Sequence, residues 1–347
     1  RIPEGKKGIC KVRYNEGGLL RVPHHYVGAL QVDPIEKKPF FHALPGSRAL
    51  SFGMLGCDYH CDYCQNWITS QALRDPASEE NGARPQDLGA PELAASALRH
   101  QCQTVTSTYN EPLITSEWAV EVFKEARAHG LLTSYVSNGN ATKEVLEFIR
   151  PWVDLYKVDL KCFNDRTYRR HIGGTLKPVL ESIERLKAMG FWLEIVTLVV
   201  PGLNDSGKEL GDIARFLASI SRDIPWHVTA FHPDYKMEDR DWTDPGQLNM
   251  GYQIGKEAGL RYVYSGNRPG EVGRTENTYC PSCGELLIER YGFQVTRDNL
   301  GPKGKCPKCS TVIPGVWKIP SREPNPFTPV EKTPLADKAL TETAKSE

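Results

Sequence analysis

The 347-residue chain carries 43 Lys and Arg against 43 Asp and Glu, is 39% hydrophobic and has a mean hydropathy of −0.45. Balanced charge gives no bulk attraction to a polyanion, so a nucleic-acid partner is disfavoured, and the lack of any run of eighteen apolar residues excludes an ordinary membrane-spanning helix. Ten cysteines, seven of them in tight groups, read as metal ligands in a reducing, cytoplasmic compartment rather than as disulfides.

The length suits one large α/β domain plus a small module. Residues 1–47 read as a lead-in segment with one or two strands, including an extended run around Tyr26 to Val32; because it opens at Arg1 without a methionine, it is expected to be truncated. Cys10 in this segment reads as a buried or idle thiol. From Ala49 onward, apolar strand-like runs fall near Ala49 to Met54, Thr104 to Tyr109, Thr133 to Ser137, Leu155 to Leu160, Leu193 to Val200, His227 to His232 and Arg261 to Ser265. Helical patterns lie between them, at Pro91 to Cys102, Thr115 to His129, Lys143 to Ile149, Pro178 to Met189, Gly207 to Ile220 and Gly246 to Ala258. The alternation predicts a parallel sheet with crossover helices, best accommodated as a full or partial (β/α) barrel with its chemistry at the carboxyl ends of the strands. A doubly wound open sheet is the alternative, but no Gly-x-Gly-x-x-Gly follows the first of these strands.

The loop after that strand, Gly56 to Trp67, places Cys57, Cys61 and Cys64 at Cys-x3-Cys-x2-Cys spacing. Three thiols within eight residues are too close to staple a fold but well spaced to wrap a metal cluster. An iron-sulfur cube normally takes four cysteines, so three leave one iron open. The alternative is a zinc site completed by His60. The loop, with Tyr63 directly before its last cysteine, resembles the signature of radical S-adenosylmethionine (SAM) enzymes.

That resemblance implies that SAM is held across the following strand ends. Thr108-Tyr109-Asn110-Glu111-Pro112 resembles the Gly-Gly-Glu-Pro of such enzymes, with Glu111 near the methionine ammonium and Tyr109 and Asn110 replacing the glycines; the plainer reading of Glu111 is a helix N-terminal acid. Asn138 follows the third strand. Asp159 and Lys161 share one face of the fourth, where Lys161 faces the SAM carboxylate and Asp159 positions it, unless the two form a surface ion pair. His232 at the sixth strand end is a candidate neighbour of the nucleoside or a turn residue. Tyr63 and Trp67 either stack on adenine or shield the cluster. Cys102 and Cys162 read as ordinary thiols.

Beyond Gly266 the composition changes. Cys280-Pro281-Ser282-Cys283 and Cys306-Pro307-Lys308-Cys309 are two knuckles about twenty residues apart, separated by a partly β-like insert. Four thiolates suit zinc, with iron as the alternative. The expected organisation is therefore a lead-in at 1–47, a barrel at 48–266, a four-cysteine ribbon at 267–319 and a flexible proline- and charge-rich tail at 320–347.

Together, the Cys57 loop, Glu111-Pro112, Asn138-Gly139, Asp159-Leu160-Lys161 and Val200-Pro201-Gly202 resemble pyruvate formate-lyase-activating enzymes. Asp33 to Pro39, Pro45-Gly46-Ser47, Cys64 to Trp67, Tyr109 to Pro112 and Tyr279 to Cys283 are similar to the radical SAM component of the AmmeMemoRadiSam system. The resemblance implies a partial TIM-like barrel of the radical SAM type and a [4Fe-4S] cluster on Cys57, Cys61 and Cys64. It further implies reductive cleavage of SAM to a 5′-deoxyadenosyl radical, and an electron donor of the flavodoxin or ferredoxin type. AMMECR-type and Memo-type proteins are the partners it suggests. Within this class, activation of a glycyl-radical protein competes with modification of a small molecule or peptide; outside it, the alternative is a non-catalytic metal-binding docking protein.

Overall fold

The computed structural model describes residues 2–82 and 84–320. The flexible tail expected over 320–347 lies, past Pro320, outside the described residues. The central sheet has eight strands: β1 (Ala29–Pro34), β2 (Arg48–Gly53), β3 (Thr104–Ser107), β4 (Leu132–Ser137), β5 (Leu155–Asp159), β6 (Trp192–Val199), β7 (Trp226–Ala230) and β8 (Val263–Gly266). Strands β2 to β8 are parallel and stand in sequence order, whereas β1 lies antiparallel on β2. The strand order never reverses, as it would in a doubly wound sheet, and among the described residues the two edge strands do not pair with each other, so the barrel is partial, as expected. The sheet also runs across residues 47 and 48: part of the expected lead-in is its first strand.

Nearly every strand position is buried, the Thr and Ser of β3 (Thr104–Ser107) included, because both faces of the sheet are covered. Six helices form the outer layer: α1 (Ala90–Arg99), α2 (Ser116–Ala128), α3 (Lys143–Ile149), α4 (Leu176–Ala188), α5 (Gly207–Ile220) and α6 (Pro245–Glu257). Their sequences mark their own starts: Ser206 caps α5 through the Glu209 amide, and Asp244 with Gln247 forms a capping box at α6, just before Pro245. In α2, Trp118, Val122, Phe123 and Ala126 make the buried stripe that packs on the sheet.

The open side between β8 and β1 is covered by residues 35–44 together with the C-terminal ribbon, a small antiparallel sheet of β9 (Thr278–Tyr279), β10 (Leu286–Tyr291) and β11 (Gln294–Asp298). Leu44 donates its amide to the Val316 carbonyl at 2.9 Å, and Val316 returns its own to His42 at 2.8 Å. Arg290 of the ribbon is buried; it donates to the Phe41 carbonyl at 2.7 Å and stacks on the Phe41 ring at 4.3 Å. Its counter-ion is Glu36, equally buried, at 3.6 Å. A buried pair of this kind is costly to separate, because either charge left alone would be unsolvated.

Candidate functional site

The cysteine loop leaves β2 through two positions that need glycine. A Cβ on Gly53 would sit 2.6 Å from the Thr108 carbonyl, so only glycine lets β2 and β3 end side by side. Gly56 has φ of 89°, and a Cβ there would meet the Cys10 carbonyl at 2.8 Å. Arg74, which nothing in the sequence pattern singles out, clamps the loop from behind. Its guanidinium donates to the carbonyls of Tyr59 at 3.0 Å and Ile9 at 3.1 Å, and also to that of Cys57. The far side is tied down by the His60 amide on the Ile172 carbonyl and the Asp62 amide on that of His171, both at 2.9 Å.

Cys57, Cys61 and Cys64 line one cavity of about 90 Å³, with Glu111, Asn138, Asp159 and Lys161 on its other walls. Cys61 and Cys64 also border a larger cavity of about 350 Å³ that extends past Tyr63, Lys157 and His227 to Phe293. A single tetrahedral ion with bonds of about 2.3 Å draws its sulfurs to within ~3.8 Å of one another. Among the described residues only Cys280, Cys283, Cys306 and Cys309 form a group of three or more ligand residues whose donor atoms all lie within 4.8 Å. The Cys57 trio is spread more widely, which suits separate irons of a cluster and not one zinc. His60 does not line either cavity; its ring lies over Gly173 instead. The donor set thus fits an iron-sulfur cluster with an open position. A second sign of an absent ligand is the Tyr63 hydroxyl, buried without a hydrogen-bond partner. Burial pushes all three thiols up, Cys61 to about 12, and for Cys57 the Asp58 carboxylate adds to it. Metal binding therefore has to release protons here.

Around this loop the strand ends carry a polar shell. Asn138 donates to Asp58 at 2.8 Å and approaches the Cys57 sulfur at 3.9 Å, while Asn140 holds the other Asp58 oxygen at 2.7 Å. Glu111 is buried, and its oxygens accept from the Leu113 amide at 3.0 Å, the Ser137 hydroxyl at 2.8 Å and the Asn138 amide at 2.7 Å. It therefore caps the turn at Pro112–Thr115 and fixes the end of β4 while lining the smaller cavity. Burial and the neighbouring Asp58 push its carboxyl up to about 8. Tyr109, in place of a glycine, nevertheless takes a left-handed conformation with φ of 68°. That costs about 1–3 kcal/mol, offset by its hydroxyl, which bonds Asp33 at 2.8 Å and accepts from Lys38 at 3.1 Å.

Asp159 lies between two lysines, ion-paired with the buried Lys157 and 3.5 Å from Lys161. Lys157 and Asp159 alternate on β5 and Lys161 follows two residues past its end, and all three line the larger cavity. Burial alone would raise Asp159, but the two ammonium groups outweigh it and hold the carboxyl below its usual range. For Lys161, burial is outweighed by Asp159 and Cys61, which keep it charged. Lys157 escaped the sequence reading; its period-2 spacing from Asp159 was the available signal.

Two candidates are placed elsewhere. Trp67 stacks on Tyr235 at 5.3 Å and donates to Asp234, so one face of its ring is occupied by protein. His232 packs against Trp242 at 5.5 Å and lines an adjoining cavity, not either of those bordered by the cysteines. Cys10 is a buried thiol against Val12 and Ile114, and accepts from the Arg13 amide.

In the ribbon, the sulfurs of Cys280 and Cys309 are 3.5 Å apart and those of Cys283 and Cys306 3.7 Å, the spacing of one tetrahedral ion. The Thr311 hydroxyl and amide lower Cys309 to about 6, while against the pull of the Glu285 amide desolvation and the surrounding thiols push Cys283 up to about 12, so a metal has to displace protons here as well.

The family model described as the Radical SAM superfamily matches residues 53–217 of this chain. An uncharacterized protein of Methanocaldococcus jannaschii is 38% identical over 315 residues, covering 90% of this chain and 91% of that one. The pyruvate formate-lyase-activating enzyme of Streptococcus mutans is 23% identical over 239 residues, 67% of this chain and 83% of its own. Among solved structures, a radical SAM methyltransferase from Sphaerobacter thermophilus is 15% identical with a TM-score of 0.49, over 70% of this chain and 71% of that one. No helix among the described residues is long and apolar enough to cross a membrane.

Proposed function

We propose that the chain, which belongs to the radical SAM superfamily, holds a [4Fe-4S] cluster on Cys57, Cys61 and Cys64 and uses SAM to abstract hydrogen from a substrate. The observation that carries this is the wide spread of three sulfurs, that of Cys61 buried and those of Cys57 and Cys64 half-buried, around one cavity, beside an inward-facing Lys157, Asp159 and Lys161. Bound there, cluster and SAM would supply one-electron cleavage of a carbon–sulfur bond, giving methionine and a 5′-deoxyadenosyl radical; the electron comes from a flavodoxin- or ferredoxin-type donor. Lys161 offers an ammonium for the SAM carboxylate, and Asp159 aims it. Asn138, Asn140 and Glu111 set the position of Asp58 and the β4 end, and Tyr63 closes the cluster side to water. The chemistry needs no side-chain acid or base for hydrogen abstraction.

We further read the chain as a relative of the pyruvate formate-lyase-activating enzymes and, more narrowly, as the radical SAM component of the AmmeMemoRadiSam system, with AMMECR- and Memo-type proteins as associates and a cytoplasmic setting; the order of its motifs supports this reading. Zinc in the four-cysteine ribbon is part of the same reading. A second reading of the substrate, a small molecule or peptide in place of a glycyl-radical protein, is favoured by the covering of the open barrel side by residues 35–44 and the ribbon. The test is anaerobic reconstitution with iron and sulfide, addition of SAM and dithionite, and quantification of 5′-deoxyadenosine. Single Cys→Ala changes at 57, 61 or 64 are expected to abolish it; undiminished turnover in all three would sink the assignment.

A further inference from the structure

Beside the cluster-side cavity lies a second chamber of about 350 Å³, and the two share Phe41, Gly266, Asn267 and Phe293 as a common wall. It opens between the end of β7 and the tip of the β10–β11 hairpin, so barrel and ribbon each build part of it. We infer that this chamber is the substrate pocket and that it receives a cationic aromatic group, an arylalkyl ammonium being the simplest case.

Three observations support the assignment. First, the chamber's lining is aromatic: His232, Trp242 and Phe293 open onto it, with the buried Phe41 and Phe231 behind them. Trp242 is 57% exposed and Phe293 40%, large apolar side chains left uncovered at the same opening. Scattered exposed aromatics need no explanation, but two lining one concavity mark a binding surface.

Second, the only carboxylate among its described lining residues is Glu276, and no Lys or Arg lines it. Glu276 is only 6% exposed and accepts from the Gly270 amide at 3.2 Å. Burial raises its carboxyl above the ordinary range even though the Gly270 and Gly292 amides and the buried Arg290 oppose it, so an ammonium on the chamber side would add to a solvation that these groups supply only in part. Aromatic faces with one carboxylate are the recognition chemistry of a cation.

Third, the polarity is divided. Lys37, Lys38, Lys157 and Lys161 all line the cluster-side cavity and none lines the chamber. An anionic group such as a carboxylate belongs on the cysteine side, and a cationic one on the Glu276 side.

The chamber's role as substrate pocket rests on the proposed radical chemistry next door; its binding preference does not, and is measured separately. The probe is phenethylammonium, with phenylacetate as its anionic counterpart. Both are titrated into the metal-loaded full chain without SAM and followed by ligand-observed NMR. A fragment of this size is expected to bind with a Kd on the order of 1 mM, and phenylacetate at least tenfold more weakly. Glu276→Gln should remove the preference for the ammonium, and Trp242→Ala, at an exposed position where folding is not at stake, should weaken binding about tenfold. Equal binding of the two probes, unchanged binding in both variants, or no saturable binding up to ~10 mM would overturn the inference. Deoxyadenosine formation by the reconstituted enzyme is recorded in parallel. Intact SAM cleavage with no probe preference refutes the chamber alone, and a probe preference without SAM cleavage refutes the radical reading and with it the chamber's role as substrate pocket, while its binding preference stands.

Discussion

Acidification should detach the ribbon from the barrel through His42. This residue is buried, with Nδ1 at 2.7 Å from the Pro314 carbonyl and Nε2 at 2.6 Å from the Tyr264 hydroxyl. The carbonyl can only accept, so Nδ1 carries the proton and Nε2 accepts from Tyr264. The chain then runs in one direction: Arg290 donates to Thr278 at 2.8 Å, Thr278 to Tyr264 at 2.9 Å, Tyr264 to His42 and His42 to Pro314. Protonating Nε2 would force the Tyr264 hydroxyl to turn and donate to Thr278, which then loses the acceptor for its own proton. Burial lowers His42 to about 4 from an ordinary 6.5. Between those values the unfolded chain binds more protons than the folded one, so stability rises with pH across the window. The contribution is fully present above 6.5 and is lost as pH falls through 4. The gap corresponds to ~3 kcal/mol. Urea unfolding of wild type and His42→Gln at a series of pH values from 7 to 4 measures it. Metal loss and titration of other groups affect both proteins, so the difference between their pH slopes isolates His42. The wild type should lose ~3 kcal/mol more than the variant over this range; parallel slopes would refute the reasoning.

Other outcomes follow from the site. Cys306→Ser should release about one metal per chain while leaving iron in the Cys57 loop, as metal analysis after reconstitution will show. Gly53→Ala forces β2 from β3 against backbone, not a flexible side chain, and should cost about 1–3 kcal/mol in thermal or urea unfolding. Lys157→Met leaves Asp159 with Lys161 as its only cation, drawing that ammonium inward; SAM affinity by equilibrium dialysis should fall about tenfold. Tyr109→Phe keeps the left-handed backbone but loses the hydroxyl that joins Asp33 and Lys38, and should destabilise by about 1 kcal/mol.

Much of the fold was legible in the sequence because its signals are short-range. Buried parallel strands show as apolar runs, as in Trp192–Val199, and helix starts announce themselves through capping side chains such as Ser206 and Asp244. The cysteine groups were legible for the same reason: ligand spacing within a loop limits what it can wrap. Even the conformation at Tyr109 had a local trace, since the motif that Tyr109-Asn110-Glu111-Pro112 resembles has glycine there.

What no local pattern records is which distant groups meet. Arg74 clamps the loop through three carbonyls, and a backbone carbonyl has no residue-type signature to pair with. That Trp67 packs one face on Tyr235 and His232 sits against Trp242 was likewise not written locally, because ring packing is settled by the loops that converge there. The covering of the barrel's open side depends on the edge of one sheet finding residues 35–44 and a ribbon more than two hundred residues further along. Periodicity and ligand spacing act over a few residues and are therefore written in the chain itself. Closure of the cavity and its division into a lysine-lined side and an aromatic, Glu276-lined side arise only when separate segments exclude water together, which is a property of the tertiary structure.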